Sequence, residues 1–191
     1  MNTLDQIFEQ IIADPRYVTN IRWGEPRPGH PEGTIAAHIR DLENNLTRLA
    51  DRLSPRQVQL LRILVHVHDT FKPDAAPNVP ISDPKSHASL AAKFLSEFVQ
   101  DPDLLTMAQM HDEPFALWRQ HVSRGSCDGE RLDRLLNTID DWETFSAFLV
   151  IDNHTAGKSD APLRWFWEAT KNRVTRRVPC DALTDARDTA P

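Results

Sequence analysis

The chain has 191 residues, which is long enough for one domain with a substantial buried core. A hydrophobic content of 40%, a charged content of 26% and a net charge of −6 are ordinary for a globular protein, and nothing in them suggests a nucleic-acid polymer as partner. The two cysteines lack CxxC spacing, which argues against a disulfide framework and against a thiolate metal site. Neither a signal peptide nor an apolar stretch of the ~20 residues that span a bilayer is evident. We therefore expect a cytoplasmic protein with no membrane partner.

Apolar residues at helical spacing dominate the first third of the chain. They predict a helix over residues 3–13 and a longer one over residues 34–53, in which His38 lies at the edge of the apolar stripe. Between them, residues 15–33 contain four prolines and three glycines and are expected to be irregular. A long polar loop of this kind is often functional.

A capping box at Ser54-Pro55-Arg56-Gln57 predicts the start of the next helix, which extends to about residue 69. This segment is apolar on nearly all sides, so we expect it to be the central buried helix. Further helices are predicted to begin at Asp83-Pro84 and Asp101-Pro102, to cover residues 114–123, 129–138 and 139–153, and to follow Asp160.

No alternating strand pattern and no hairpin signal is present in the sequence. The predicted fold class is therefore all-α, a single-domain helical bundle of about eight helices. We expect residues 1–178 to form the domain and the polar residues 179–191 to form a flexible C-terminal tail.

The central helix ends in a dipeptide that is costly to bury without a partner. Its apolar run leads into His68-Asp69, and Lys72 follows three residues later. A structural explanation is available, in which His68 bonds a carbonyl group and Asp69 caps the following turn. Neutral imidazole and carboxylate are also natural ligands of a divalent transition metal.

Four other helices each carry a potential metal ligand on an otherwise apolar face. These residues are His38, His87, His111 and Asp152. Separate structural roles for six such residues, all directed at the core, are hard to justify, so the pattern predicts a metal site. Imidazole and carboxylate ligands without thiolate favour manganese, iron, cobalt, nickel or zinc over calcium.

The order of these residues resembles that of the HD superfamily of metal-dependent phosphohydrolases, over about residues 30–155. His68, Asp69 and Lys72 are similar to the family's His-Asp-x-Gly-Lys motif, with Phe71 in place of the glycine. The resemblance implies a helical domain of HD type with two divalent metals, most often iron or manganese, with cobalt, nickel or zinc as the other options. It assigns one metal to His38, His68, Asp69 and Asp152, and a second to His87 and His111, with Asp69 bridging.

The resemblance also implies a hydrolase that acts on a small, anionic phosphorylated molecule or nucleotide through a metal-activated water. Asp69 and Lys72 would be catalytic, and the substrate would be bound by residues that surround the predicted ligands. The candidates are Arg27, His30, Glu32, Lys72, His154 and Lys158. Loop hydrogen bonding and a solvated helix end are the competing explanations for these residues.

Two alternative functions remain open at this point. Some members of the superfamily keep the same six ligands but hold a mixed-valent di-iron centre, which cleaves a C–C or C–P bond with dioxygen. Other members are non-catalytic binding modules, which typically lose ligands, whereas none is missing here.

Overall fold

Ten α-helices and two short 3-10 helices make up the regular structure of residues 3–184, the part of the chain that the computed structural model describes. The α-helices are α1 (Leu4–Ala13), α2 (Pro15–Asn20), α3 (Ile35–Leu49), α4 (Pro55–Val67), α5 (His87–Leu95), α6 (Pro102–Met110), α7 (Glu113–Arg124), α8 (Gly129–Thr138), α9 (Trp142–Asn153) and α10 (Ala161–Thr170). Within this range the sole β-type pairing is an isolated antiparallel bridge between Arg27 and His30. The all-α prediction is confirmed.

Helix α4 lies at the centre of the bundle. It packs against α1, α3, α6 and α9, and five of the seven residues from Leu61 to Val67 are fully buried, the exceptions being Arg62 and His66. The predicted capping box is present, since the Ser54 side chain accepts from the Gln57 amide while the Gln57 side chain accepts from the Ser54 amide. Burial of each large apolar side chain stabilises the fold by roughly 1.5–3 kcal/mol, so α4 is a rigid support for the residues at its end.

The potential metal ligands lie at the ends of helices. His68 and His111 are the C-cap residues of α4 and α6, and His87 is the first residue of α5. His38 lies in the first turn of α3, and Asp152 lies in the last turn of α9. Five helix ends therefore deliver these side chains to one region of the bundle.

One helix was not predicted, and another begins later than predicted. Residues 15–20 form a helix rather than an irregular segment, because the Asp14 side chain accepts from the Arg16 amide and Pro15 occupies the first helical position, where its missing N–H costs nothing. Helix α5 begins at His87 rather than at Asp83-Pro84, because Ser86 is its N-cap and accepts from the Ser89 amide.

Packing continues beyond the predicted domain boundary at residue 178. Leu183 is buried, and its carbonyl oxygen accepts a hydrogen bond of 2.7 Å from Arg48. The predicted flexible tail thus begins with a short segment that contacts the core, and its remainder, residues 185–191, lies outside the described residues. Among the described helices, none combines the length and apolar character needed to cross a bilayer.

Candidate metal centre

A first group of potential ligands is formed by His38, His68 and Asp152, whose ligand atoms all lie within 4.8 Å of one another. His38 Nε2 is 3.1 Å from Asp152 Oδ1, and His68 Nε2 is 3.9 Å from the same oxygen. His38 and His68 are almost completely buried. We call this set the first trio.

A second group is formed by Asp69, His87 and His111, again with ligand atoms within 4.8 Å of one another. The Nε2 atoms of His87 and His111 are 3.1 Å apart, and they lie 3.8 Å and 3.6 Å from Asp69 Oδ1. We call this set the second trio. All six residues of the two trios were predicted as ligands from the sequence.

Asp69 connects the two trios. Its Oδ2 atom is 3.5 Å from His68 Nε2 and 4.0 Å from His38 Nε2, both in the first trio. Its Oδ1 atom faces the two histidines of the second trio. One carboxylate therefore directs one oxygen toward each pair of imidazoles.

Backbone carbonyl groups fix the orientation of two of the imidazoles. His68 Nδ1 donates to Val65 O at 3.0 Å, and His111 Nδ1 donates to Ala108 O at 2.8 Å. These carbonyl groups belong to the last turns of α4 and α6, where a helix supplies no amide to bond them, so they can accept from a side chain. With Nδ1 protonated, a neutral ring presents the Nε2 lone pair to the site, as ligating histidines usually do.

His68 Nε2 provides a test of whether the site suits a cation. It is buried and has no hydrogen-bond partner among residues 3–184. Burial lowers the pKa of His68 to about 3, so the ring is neutral at neutral pH and its Nε2 can only accept. An unpaired acceptor buried beside two carboxylates is unfavourable alone, but it is what a divalent transition metal requires. The residues present thus fit a metal.

Lysine side chains lie beside both aspartates. Lys72 Nζ is 2.5 Å from Asp69 Oδ2, and Lys158 Nζ is 2.7 Å from Asp152 Oδ1. Burial raises the pKa of each carboxyl group, but nearby positive charge and hydrogen bonds outweigh this effect. Lys72 and His68 hold the pKa of Asp69 well below its usual range, and Lys158 and His38 do the same for Asp152. Both aspartates are therefore ionised at neutral pH.

Glu32 lies behind the first trio. Its Oε1 atom is 2.9 Å from His30 Nδ1 and 3.1 Å from His38 Nδ1, although the His38 contact is not aligned as a hydrogen bond and His38 Nδ1 has no aligned partner among residues 3–184. A carboxylate next to the outer ring nitrogen is a frequent support of a ligating histidine. The geometry therefore gives Glu32 a supporting position behind His38 rather than one in the cavity.

Asp112 is a neighbour of the second trio that the sequence reasoning missed. Its Oδ2 atom is 3.2 Å from His87 Nε2, and its Oδ1 atom is 4.0 Å from His111 Nε2. Burial raises the pKa of Asp112, but His111 and His87 outweigh burial and lower this pKa below its usual range. The Asp112 side chain is 46% accessible, so it lies at the edge of the second trio. A second His-Asp dipeptide, His111-Asp112, was the available signal.

A cavity of about 490 Å³ opens over both trios. Its polar side includes Asp69, Lys72, Asp152 and Lys158, together with His30. Most of its apolar lining comes from α7, α9 and α10. Three of the predicted substrate-binding residues, His30, Lys72 and Lys158, thus line one cavity.

Arg27 and His154 lie elsewhere. Arg27 borders a narrow adjoining pocket and places its guanidinium group 5.9 Å from the centroid of the Trp23 ring. His154 is buried on another side of α9, where Nδ1 donates to Val150 O at 2.9 Å and Nε2 is 3.5 Å from Thr184 Oγ1. Two residues along a helix correspond to a rotation of about 200°, so His154 cannot share the direction of Asp152. The structure does not bring His154 to the cavity.

No family model, curated protein or solved structure matches this chain. Fold and geometry define an all-helical domain with adjacent, buried His/Asp groups that could hold metal ions. Such a domain is compatible with the HD type.

Proposed function

We propose that the protein is a dinuclear-metal-dependent hydrolase of HD type, which acts on a small phosphorylated molecule or nucleotide. The observation that carries the proposal is the position of Asp69, which directs one carboxylate oxygen toward the histidines of each trio. In this proposal His38, His68 and Asp152 hold one metal, His87 and His111 hold the other, and Asp69 contacts both. Iron and manganese are the leading candidates, because the ligands are imidazole and carboxylate.

Two bound divalent metals would supply Lewis acidity and a water of lowered pKa, which is the chemistry that hydrolysis of a phosphate ester needs at neutral pH. The chain supplies orientation. Val65 O and Ala108 O hold His68 and His111 with Nε2 directed into the site. Asp69 is ionised and lies just after helix α4, so it would supply a negatively charged ligand to both metals.

Lys72 and Lys158 are proposed to bind the phosphate group. Both ammonium groups lie at the cavity wall, each on a side chain that is about one-fifth exposed. Lys158 also donates to the Asp152 carbonyl oxygen at 3.0 Å, which limits its freedom. Positioned cations stabilise the negative charge on the oxygen atoms of an ester as its bond breaks, so these lysines are suited to transition-state stabilisation.

The decisive experiment is an assay of protein that was purified under nitrogen and analysed for bound metal. The protein is reconstituted with manganese or with iron and tested on phosphorylated metabolites and nucleotides, with and without dioxygen. Phosphate release with manganese under nitrogen supports the proposal. Turnover that requires iron and consumes dioxygen would instead establish the di-iron oxygenase, and full metal loading without turnover would favour a binding module.

Variants link the activity to the site. His68→Ala should abolish turnover and lower the metal content by about one equivalent, because Nε2 is the inward-facing acceptor of the first trio. His121→Ala is the matched control, since this histidine stacks on Trp165 with ring centroids 5.3 Å apart and does not line the cavity. Equal losses in the two variants would show that the effect comes from folding.

A further inference from the structure

The cavity over the two trios has an apolar side that phosphate chemistry does not require. The apolar lining includes Phe115, Trp118, Leu149, Pro162, Leu163 and Phe166. The volume of about 490 Å³ falls in the range of pockets that enclose a complete small organic molecule, roughly 300–1,000 Å³. A phosphate group at the lysines would leave most of this space to the rest of the ligand.

Helix α7 ties this apolar side to the second trio. It begins at Glu113, directly after His111-Asp112, so its first turns lie next to the potential ligands. Phe115 and Trp118 are three residues apart and therefore lie on one face of α7. Helix α10 packs against α7, and its Leu163 and Phe166 line the same cavity. The distance between aromatic surface and trio is thus set by the fold.

Phe115 keeps an accessible aromatic surface at this cavity. Its side chain is 43% exposed, and its ring stacks on Trp118 with centroids 5.5 Å apart and planes 30° apart. The Arg119 guanidinium lies 5.0 Å from the Phe115 centroid, so the ring is contacted by a cation as well. Two aromatic rings held in fixed orientation form a surface on which a planar group can stack.

We infer that Phe115 and Trp118 form a subsite for a planar, apolar group of the substrate, so that the substrate is the phosphate ester of an aromatic organic group. This inference rests on the proposed function for the position of the phosphate. The ester oxygen lies between the two halves of the cavity, with the phosphate toward Lys72 and Lys158 and the planar group against the rings. A small polar phosphate ester would leave the rings uncovered.

The test compares 1-naphthyl phosphate with glycerol 3-phosphate, which share the phosphate group but differ in the group that it esterifies. For Trp118→Ala, we expect kcat/KM on 1-naphthyl phosphate to fall roughly tenfold, as one aromatic contact predicts, with no change on glycerol 3-phosphate. Trp118→Phe should recover most of the loss because a ring is retained. Val122→Ala is the control, since Val122 is an exposed apolar residue of the same helix outside the cavity.

A binding measurement separates this inference from the proposed function. Calorimetric titration of the metal-loaded protein with 1-naphthylphosphonate under nitrogen should show binding that weakens about tenfold in Trp118→Ala and returns in Trp118→Phe. Binding with this pattern but without hydrolysis of any ester would support the subsite and overturn the hydrolase. Hydrolysis of both esters with equal efficiency, unchanged by Trp118→Ala, would overturn the subsite and leave the hydrolase standing. No binding of the phosphonate would also overturn the subsite.

Discussion

Replacement of Asp69 by asparagine tests whether this carboxylate serves two cations. Asn keeps the volume of the side chain but removes the charge, so each trio loses an anionic ligand while the packing is retained. We expect Asp69→Asn to lose both metals, falling from about two equivalents per chain to well below one. The reason is that Oδ2 faces His38 and His68, whereas Oδ1 faces His87 and His111.

Asp152→Asn is a closely matched control. Both aspartates are paired with a lysine that is about one-fifth exposed, Lys72 in one case and Lys158 in the other. Removal of the partner of a buried charge costs roughly 3–5 kcal/mol, and the two variants should therefore be destabilised to a similar degree when both are free of metal. Asp152 faces the first trio alone, so Asp152→Asn should retain about one metal equivalent, bound by the second trio.

The assay is inductively coupled plasma mass spectrometry after dialysis against manganese or iron, with circular dichroism to verify that both variants are folded. The two variants should differ in metal content whatever their stability. Full metal occupancy in Asp69→Asn, or the same residual occupancy in Asp69→Asn and Asp152→Asn, would refute the bridging assignment.

Three further predictions concern stability and affinity. Removal of metal by a chelator should lower the melting temperature by several degrees, because ligands held at 100 times their dissociation constant stabilise a fold by ~2.7 kcal/mol, and superimposable melting curves at verified metal loss would contradict this. Glu32→Gln should weaken metal binding at the first trio roughly 10–100-fold, measured by competition with a chelating dye, whereas unchanged affinity would mean that Glu32 does not support His38. Glu43→Gln should cost about 1 kcal/mol of unfolding free energy at pH 7 but progressively less below pH ~4.5. Burial raises the pKa of Glu43, but its hydrogen bond to His66 and the charge of Arg62 outweigh burial, so the folded-state pKa lies below the usual 4.5. The stabilisation by Glu43 is therefore lost as the pH falls. Denaturant titrations in which wild type and Glu43→Gln differ by the same unfolding free energy down to pH ~3 would refute this prediction.

The long helices could be predicted from the sequence pattern, but the grouping of the potential ligands could not. Periodicity was sufficient for the long helices, because residues such as Leu42 and Leu46 repeat on one face and are fully buried. It also identified His38 and His111 as polar residues on apolar faces. The short helix Pro15–Asn20 was missed because proline and a polar composition favour a loop when the capping role of Asp14 is not recognised.

The division into two trios could not be deduced from spacing. It depends on how five helix ends meet, and the sequence provided it only through the resemblance to the HD superfamily. Asp112 and His154 show why. Asp112 reaches His87 from another helix end, and the His111-Asp112 dipeptide does not show which helix it contacts, whereas His154 follows Asp152 closely in sequence but points away from it. The aromatic side of the cavity likewise required the contact between α7 and α10.

The charges around the cavity explain why an anionic substrate and the proposed metals depend on each other. Four carboxylates border the site, namely Glu32, Asp69, Asp112 and Asp152. Burial raises the pKa of each, but neighbouring lysines or imidazoles outweigh it and every one of these pKa values lies below its usual range, so all four groups are ionised at neutral pH. Lys72 and Lys158 are paired with Asp69 and Asp152, so without metals these two lysines mainly neutralise carboxylates. Two divalent cations would neutralise the carboxylates in their place, and the same lysines would then add to the attraction for a phosphate dianion.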